Sequence, residues 1–256
     1  MITSTHNAKV QLVRALLGRP KERREQAAFV VEGVRLTEEA LAASWAIRFA
    51  LHSPELTGRG RELIGELKAR RVEVDEVAEG LMQSLSETET SQGLLAVLDL
   101  AALPLPDLLD FVLVPDRVRD PGNLGTLLRT AAAAGAQAAL LPPETADAFA
   151  PKAVRAGMGA HFRLPVWTMG WDDLGLRLKG LQVFLAEMEA ELPCWKADFR
   201  GPLALIVGGE AEGASEQARN LANRRVCIPM PGKAESLNAA AAGAILMFEV
   251  VRQRET

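Results

Sequence analysis

The feature that most constrains the fold of this 256-residue chain is a regular alternation of short apolar runs with helical patterns after residue 110. Short continuous apolar runs are typical of strands buried on both faces. The predicted strands are 111–114, 138–141, 182–186, 203–207 and 225–229, and the predicted helices are 123–134, 210–221 and 236–252. Strands that alternate with helices form a mainly parallel sheet covered on both faces. We therefore predict an α/β fold.

The chain changes character over residues 101–109, where Pro104 and Pro106 favour extended backbone. We interpret these residues as a linker between a small α/β domain at 1–100 and a second domain at 110–256. In the small domain, helical patterns cover 7–17 and 35–43, and strand patterns cover 28–32, 47–51 and 94–98. A domain of about a hundred residues lies within the usual size range.

Bulk properties exclude some classes of protein and leave others open. No segment approaches the roughly 20 apolar residues needed to cross a bilayer, and the first residues lack a secretory pattern, so we expect a cytoplasmic protein without a membrane partner. The net charge of −4 does not indicate nucleic-acid binding, although a local basic patch is compatible with it. One such segment has the composition of a solvated helix face and its following loop, with Lys9, Arg14, Arg19, Lys21, Arg23 and Arg24.

The cysteines and histidines do not predict a metal site. Cys194 and Cys227 lie far apart, and the three histidines are equally scattered. Neither set has the spacing of metal ligands, so we expect no bound metal and two buried thiols in a reducing compartment.

Polar residues follow the first predicted strand of the second domain, in Asn123-Leu-Gly125 and at Arg129. Asn123 stands near a predicted helix start, where it could act as an N-cap, and Arg129 could be an ordinary surface arginine. The carboxyl end of a parallel strand is nevertheless where α/β folds bind ligands. Both structural and functional roles are open at this point.

A second segment, Val207-Gly-Gly-Glu210 with Gly213, follows another buried strand. Glycines at such a place let a ligand approach the backbone closely. The spacing is not the GxGxxG of dinucleotide-binding folds. Glu210 could favour the positive end of a helix dipole or face a site.

A third segment runs through a rigid loop with Pro229, Pro231 and Gly232 into an alanine-rich helix. Ser236 is the predicted N-cap of that helix, and Asn238 is expected within its first turn. The small residues that follow permit very close packing. A helix of this kind can belong to the core and still present its N-terminus to a cofactor.

In their order and spacing, these segments resemble the three motifs of the SpoU (TrmH-like) branch of the SPOUT RNA 2′-O-ribose methyltransferases, over residues 108–252. The resemblance implies a C-terminal trefoil knot, S-adenosylmethionine as cofactor, and a homodimer with each active site near the subunit interface. It also implies site residues. The catalytic candidates are Arg129, Asn123, Glu210, Ser236 and Asn238, and the cofactor contacts are Gly208, Gly209, Ile228, Met230 and Leu237.

The sequence departs from the family pattern at a few positions. Gly209 stands where Asn or Ala commonly precedes the motif glutamate, Gly157 replaces a serine, and small residues at 239–242 replace branched ones. None of these departures removes a candidate catalytic side chain. They bear on the affinity for the cofactor more than on the type of reaction.

The N-terminal domain is similar to the family's small RNA-recognition domain at residues 4–7, 29–35 and 86–93. That similarity favours ribosomal RNA as the substrate over transfer RNA.

Two other classes of protein are less compatible with the sequence. A non-catalytic RNA-binding or ribosome-assembly protein with the same fold would be expected to lack some of the polar site residues. A dehydrogenase would need a glycine fingerprint near an N-terminal strand, which is not found. The low aromatic content argues against recognition mainly by base stacking.

Overall fold

The computed structural model describes residues 1–56, 58–86, 92–210, 212–232 and 236–255. The chain divides into two compact units. The first comprises Met1–Ala101 and Phe149–Phe162, and the second comprises Ala102–Ala148 and the residues from Arg163 onward. Within the described ranges, no helix combines the length and apolar character needed to cross a membrane.

The first unit is built on a four-stranded sheet. Its elements in chain order are α1 (Ala8–Gly18), α2 (Pro20–Glu25), β1 (Ala28–Glu32), α3 (Val34–Ala42), β2 (Ile47–His52), α4 (Gly58–Ala69), β3 (Glu73–Glu76), α5 (Glu79–Leu85) and β4 (Leu94–Asp99). The strand order is β1-β4-β2-β3, with β4 antiparallel to both neighbours and β3 parallel to β2. Residues 87–91, inside the family-like stretch 86–93, lie outside the described residues.

Helix α1 shows how the core of this unit forms. The Asn7 side chain caps the helix by accepting hydrogen bonds from the amides of Lys9 and Val10. Val10, Val13 and Leu16 recur on one face and are fully buried. They pack in one apolar cluster with residues of β1, β2, β4 and α5.

The basic segment identified in the sequence is divided among local ion pairs. Lys9 pairs with Glu73 and Asp75, Arg19 with Glu22, and Lys21 with Glu25. Arg23 is buried and donates to the carbonyl of Leu16. Four of the six basic side chains therefore have contacts within this unit.

The second unit is built on a seven-stranded sheet. Its strands are β5 (Phe111–Asp116), β6 (Ala138–Leu141), β7 (Val166–Thr168), β8 (Gln182–Ala186), β9 (Leu192–Pro193), β10 (Leu203–Gly208) and β11 (Arg224–Cys227). Its helices are α6 (Pro121–Ala133), α8 (Trp171–Arg177), α9 (Glu216–Leu221) and α10 (Ala239–Arg254). The strand order is β7-β6-β5-β10-β8-β11-β9, and every pairing is parallel. The predicted α/β fold with a mainly parallel sheet is confirmed.

The C-terminal helix packs closely against α6 because its facing residues are small. A Cβ added at Gly243 would lie 2.3 Å from Cδ2 of Leu127. Such a distance is far below van der Waals contact, so any larger residue would displace the Leu127 side chain from between the two helices. Threading of the C-terminal segment into a knot, which the family resemblance implies, stays a prediction.

One segment differs from the expected domain boundaries. Residues 149–162, which include α7 (Pro151–Gly157), were expected within a second domain at 110–256, but they cluster with the first unit. The physical reason is aromatic packing. The ring of Phe149 lies 5.0 Å from that of Phe29, and the ring of Phe162 lies 5.2 Å from that of Trp45.

The residues expected as a linker are tied to the second unit by hydrogen bonds. The indole of Trp167 donates to the carbonyl of Leu103 at 2.8 Å, and the guanidinium of Arg177 donates to the carbonyl of Pro106 at 2.8 Å. Leu105 and Leu109 also pack against the core of that unit. These residues are irregular in backbone but anchored in place.

Candidate functional site

The predicted polar segments follow the ends of strands in one parallel sheet. In the register of β5 and β10, Asp116 is opposite Gly208, and both residues end their strands. The carboxyl ends of parallel strands meet at one edge of a sheet, which is where α/β folds bind ligands. This edge brings together side chains that are distant in sequence.

Three of the predicted site residues form one hydrogen-bonded cluster. The Asn123 side-chain amide donates to Oε1 of Glu210 at 2.8 Å. The Asn238 amide donates to the same oxygen and to Oδ1 of Asn123, the latter at 3.0 Å. The backbone amide of Ala239 also donates to Glu210, at 3.2 Å. Glu210 is thus the common acceptor that links all three segments.

Asn238, and not Ser236, is the N-cap of the C-terminal helix. Its side-chain oxygen accepts from the amides of Ala240 and Ala241 at 3.0 and 3.2 Å. The prediction that Ser236 caps the helix is wrong, as is the predicted start of the helix at 236. The amides at the helix start are reached by the Asn238 side chain, which lies directly before the first helical residue.

Asn123 is likewise not an N-cap. Helix α6 begins at Pro121, and its cap is Asp120, whose carboxylate accepts from the backbone amide of Asn123 at 2.9 Å. Proline suits the first helical position because its missing N–H would have no partner there. The side chain of Asn123 is therefore free of the capping role and bonds to Glu210.

Glu210 does not stand at a helix start. The predicted helix from 210 begins only at Glu216, and its cap is Ser215. An interaction of Glu210 with the dipole of α9 is therefore not supported. The intervening loop contains Gly213 at φ +65, a backbone conformation that favours glycine. The backbone amide of Ser215 donates to the carboxylate of Asp116 at 2.6 Å.

Asp116 was not recognised in the sequence as a site-supporting residue. Its side chain is fully buried, and its Oδ1 has no hydrogen-bond partner among the described residues. Its other oxygen holds Ser215 in the loop that carries Glu210. An acidic residue that ends an otherwise apolar strand is the sequence signal that could have identified it.

Gly208 and Gly209 are needed for contacts within the protein. A Cβ at Gly209 would lie 2.2 Å from the carbonyl oxygen of Arg117, and one at Gly208 would lie 2.8 Å from the amide nitrogen of Ala214. The prediction that these glycines let a ligand approach the backbone stays a prediction, and the structure adds a role in packing within the protein. Gly209 lets the loops after β5 and β10 pack directly against each other, and Gly208 lets the loop after β10 fold back onto the end of that strand.

A cavity of about 610 Å³ opens beside this cluster, with residues that follow β8, β10 and β11 in its wall. All five predicted cofactor-contact residues line it, as do Glu210 and Ser236. The lining includes Gly208, Gly209, Ile228, Met230, Leu237 and Glu187. The volume lies within the range of about 300–1,000 Å³ found for small-molecule sites.

Glu187 is another carboxylate that lines the cavity. It accepts a hydrogen bond of 2.6 Å from Arg219, and Arg225 lies 3.5 Å away. The hydrogen bond with Glu187 raises the pKa of Arg219 above its ordinary value. Sequence reasoning missed these three residues. The signal for Glu187 is that it directly follows a predicted strand, much as Glu210 lies three residues after another.

Arg129 is not a member of the cluster. Six residues after Asn123, it lies about 9 Å further along α6 and about 240° around its axis. It does not line the cavity. The side chain is exposed, and its guanidinium makes no hydrogen bond or ion pair with any of the described residues. The predicted catalytic role of Arg129 stays a prediction.

No group of potential metal ligands occurs in the described part of the chain.

Comparison with known proteins identifies this arrangement. The SpoU rRNA Methylase family matches residues 110–248, and an MRM3-like substrate binding domain matches residues 7–96. The chain belongs to the SpoU rRNA methylase family. The resemblance inferred from the three motifs is thereby confirmed.

Similar proteins match this SpoU family member over nearly its whole length. A 23S rRNA (uridine(2479)-2′-O)-methyltransferase of Streptomyces viridochromogenes is 34% identical over 98% of this chain and 92% of its own. The 23S rRNA (guanosine(2553)-2′-O)-methyltransferase RlmP of Bacillus subtilis is 33% identical over 97% and 98%. The crystal structure of the SpoU methyltransferase AviRb from S. viridochromogenes, in complex with AdoMet, superimposes with a TM-score of 0.89 at 32% identity. It covers 98% of this chain and 99% of that one.

Proposed function

We propose that this protein transfers a methyl group from S-adenosylmethionine to a ribose 2′-hydroxyl of ribosomal RNA. The observation that carries the proposal is the position of Glu210, which lines the cavity and also binds Asn123 and Asn238. The names of the relatives support ribosomal RNA as the substrate. One relative acts on a uridine and the other on a guanosine, so the target base is left open.

The cavity suits S-adenosylmethionine in size and charge. Residues that follow β10 and β11 line it, and the carboxylate of Glu210 offers negative charge to a cationic ligand. The carboxylate of Glu187 is paired with Arg219 and Arg225, which also line the cavity. Gly208, Gly209, Ile228, Met230 and Leu237 would hold the cofactor. When bound, S-adenosylmethionine supplies a methyl group that its sulfonium already activates for nucleophilic attack.

The remaining task for the protein is to position the ribose hydroxyl and help to remove its proton. A hydroxyl is almost fully protonated at neutral pH and is a weak nucleophile. We propose that the exposed guanidinium of Arg129 binds the phosphate beside the target ribose, so that this phosphate accepts the proton. The guanidinium fork suits phosphate, whereas its very high pKa makes it a poor base. Asn123, Glu210, Ser236 and Asn238 would shape the site.

The role of Arg129 is tested with Arg129→Lys and Arg129→Ala. If the fork positions the phosphate, both variants should lose most of their turnover and keep the affinity for S-adenosylmethionine. Near-normal turnover in Arg129→Lys would contradict a role that depends on the fork. Cofactor affinity, measured by calorimetry, separates a local defect from a damaged cavity.

We further propose a cytoplasmic homodimer that associates through the outer face of α10. Ile245 and Phe248 are large apolar residues on that helix, and they are 44% and 50% exposed. They lie three apart, so they share one helix face. Helix α6 with Arg129 packs beside α10, which is compatible with an active site near the interface. Light scattering should show a dimer that Phe248→Glu dissociates and that Leu176→Glu, on exposed α8, leaves intact.

The proposed activity is tested by incubating the protein with methyl-labelled S-adenosylmethionine and unmodified ribosomal RNA or transfer RNA. Label in ribosomal RNA, at a linkage that resists alkaline cleavage, is the expected result. Label only in transfer RNA would show that transfer RNA, and not ribosomal RNA, is the substrate. No transfer and no cofactor binding would favour a non-catalytic RNA-binding protein with this fold.

A further inference from the structure

A compact group of four charged side chains lies at the carboxyl edge of the sheet, outside the cluster around Glu210. Arg117 and Arg119 follow β5, Glu144 follows β6, and Glu212 follows β10. Arg119 lies 2.9 Å from Glu212 and 3.2 Å from Glu144. Arg117 lies 3.5 Å from each of the same two carboxylates. We call this group the rim tetrad.

Arg119 holds Glu212 in a forked geometry. Its Nη1 donates to Oε1 at 2.9 Å, and its Nη2 donates to Oε2 at 3.3 Å. The hydrogen bond with Glu144 and the charge of Glu212 raise the pKa of Arg119 above its ordinary value. A guanidinium presents the same fork to a phosphate as to a carboxylate. The position of Glu212 therefore marks a place that a phosphate diester could take.

The rim tetrad is joined to the candidate site through the backbone. The carbonyl of Arg117 packs against Gly209, where even a methyl group would not fit, and Gly209 directly precedes Glu210. Arg117 itself has φ +55, an uncommon conformation for a residue with a side chain. Strained backbone of this kind tends to occur at functional sites. The backbone of Arg117 is thus held beside the loop of Glu210, and Arg119 lies two residues further along the same loop.

The ion pairs of Arg119 can exchange partners readily because all three side chains are about half exposed. The side chains of Arg119, Glu144 and Glu212 are 56%, 53% and 49% exposed. Ion pairs at such exposure contribute little to stability because water and salt screen them. A phosphate of the RNA backbone can therefore displace a carboxylate at small cost.

We propose that Arg117 and Arg119 bind a phosphate of the RNA backbone next to the target nucleotide, and that Glu144 and Glu212 hold this place when RNA is absent. The inference deepens the proposed function and rests on it. The two arginines are positioning residues, since they fix the RNA and do not touch the reacting atoms.

A purely structural network is the competing explanation, and the two explanations predict different signs. If the tetrad only joins three loops, removal of an arginine or of a carboxylate should lower stability and leave the affinity for RNA unchanged in both cases. If it binds phosphate, Arg119→Ala should weaken RNA binding, whereas Glu212→Gln should strengthen it by freeing the fork and removing a repelling charge. A purely structural network does not predict this opposition.

The experiment measures equilibrium binding of full-length variants to an unmodified 23S rRNA transcript at several salt concentrations, with methyl transfer followed in parallel. Arg119→Ala should bind about tenfold more weakly, with the log–log salt slope reduced by about one. Glu212→Gln should bind about two- to fivefold more tightly. The control is Arg200→Ala, which removes an exposed arginine paired with Asp198 before the amino end of β10 and should change neither quantity.

Thermal melting identifies any variant that fails to fold, and Arg119→Lys then serves in place of Arg119→Ala, with a smaller loss expected. Wild-type affinity in Arg119→Ala, or weakened binding in Glu212→Gln, would overturn the inference. If the wild-type chain still methylates the transcript, the proposed function would stand. If the wild-type chain neither binds nor methylates it, the proposed function falls as well.

Discussion

The side-chain amide of Asn123 donates a hydrogen bond of 2.8 Å to Glu210, which lies 87 positions later in the chain. The bond joins the first turn of α6, which follows β5, to the loop after the neighbouring strand β10, and Asn238 adds the third segment at the start of the C-terminal helix. One carboxylate oxygen therefore organises residues from three separate segments. The consequences of this arrangement can be measured.

Removal of the Glu210 carboxylate should lower both activity and stability. In Glu210→Ala, the donors from Asn123, Asn238 and Ala239 lose their common acceptor, and water satisfies them only in part. We expect a loss of about 1 kcal/mol in the free energy of unfolding and a severe loss of methyl transfer. Glu210→Gln, which keeps one acceptor oxygen, should lose less free energy of unfolding than Glu210→Ala. Urea unfolding measures the difference, and exposed Glu216→Ala is the matched control. Equal stability of all three variants would contradict the role of the cluster.

A side chain at Gly209 should disturb the candidate site without any change in its polar residues. Its Cβ would lie 2.2 Å from the carbonyl oxygen of Arg117, so one of the two loops must move. We expect Gly209→Ala to lose about 1–3 kcal/mol of stability and to bind S-adenosylmethionine more weakly. Gly201→Ala, where a Cβ meets nothing within 4 Å, should stay within about 0.5 kcal/mol of wild type. Denaturant unfolding and calorimetry test both statements, and equal behaviour of the two variants would count against the packing argument.

The strands of the second unit could be predicted because burial on both faces leaves an uninterrupted apolar run. The predicted strands at Ala138–Leu141 and Gln182–Ala186 coincide with the observed ones. Helix starts were less predictable. Several polar residues near each start can reach the free amides, and only the backbone path decides between Asp120 and Asn123 or between Ser236 and Asn238.

The contacts between loops could not be derived from local sequence patterns. The rim tetrad, the ion pairs of Glu187 and the support of Ser215 by Asp116 each join residues from different strand ends. Their pairing depends on strand order, and an apolar run does not specify its neighbours in a sheet. The association of residues 149–162 with the first unit likewise depends on ring packing with Phe29 and Trp45.

The pH dependence of one surface pair follows from its geometry. Asp198 accepts two hydrogen bonds from the Arg200 guanidinium at 2.8 Å, which lowers the pKa of its carboxyl to about 2. An unfolded Asp has a pKa of about 3.9. The contribution to stability is therefore fully present above about pH 4 and is lost as the pH falls through 2. Because the pair is exposed, it should also weaken with salt.

Titration of the Asp198 carboxyl carbon by NMR measures this directly. We expect a midpoint near 2 in the wild-type chain and a return toward about 3.9 in Arg200→Ala. A wild-type midpoint near 4 would show that the pair does not persist in solution. Asp198→Asn should leave stability less sensitive to acid between pH 4 and 2.

The two cysteines should differ in reactivity toward alkylation. Cys194 is 1% exposed, and burial raises the pKa of its thiol, so it stays protonated where a free thiol would ionise. Cys227 is partly exposed, which corrects the expectation of two buried thiols. At pH 8, iodoacetamide should modify Cys227 first and Cys194 only in urea. Peptide mass spectrometry measures both rates, and in Cys227→Ser the native chain should stay unmodified. Equal rates in the native chain would contradict this.

Asn238 both starts the last helix and completes the hydrogen bonds of Glu210. A ribosome makes the chain from its N-terminus, so the acceptor is synthesised well before two of its three donors. The cluster can close only after the final helix has been made. A prematurely terminated chain that ends just before Asn238 would therefore carry every strand of the seven-stranded sheet without a complete Glu210 cluster. The activity is thus tied to complete synthesis.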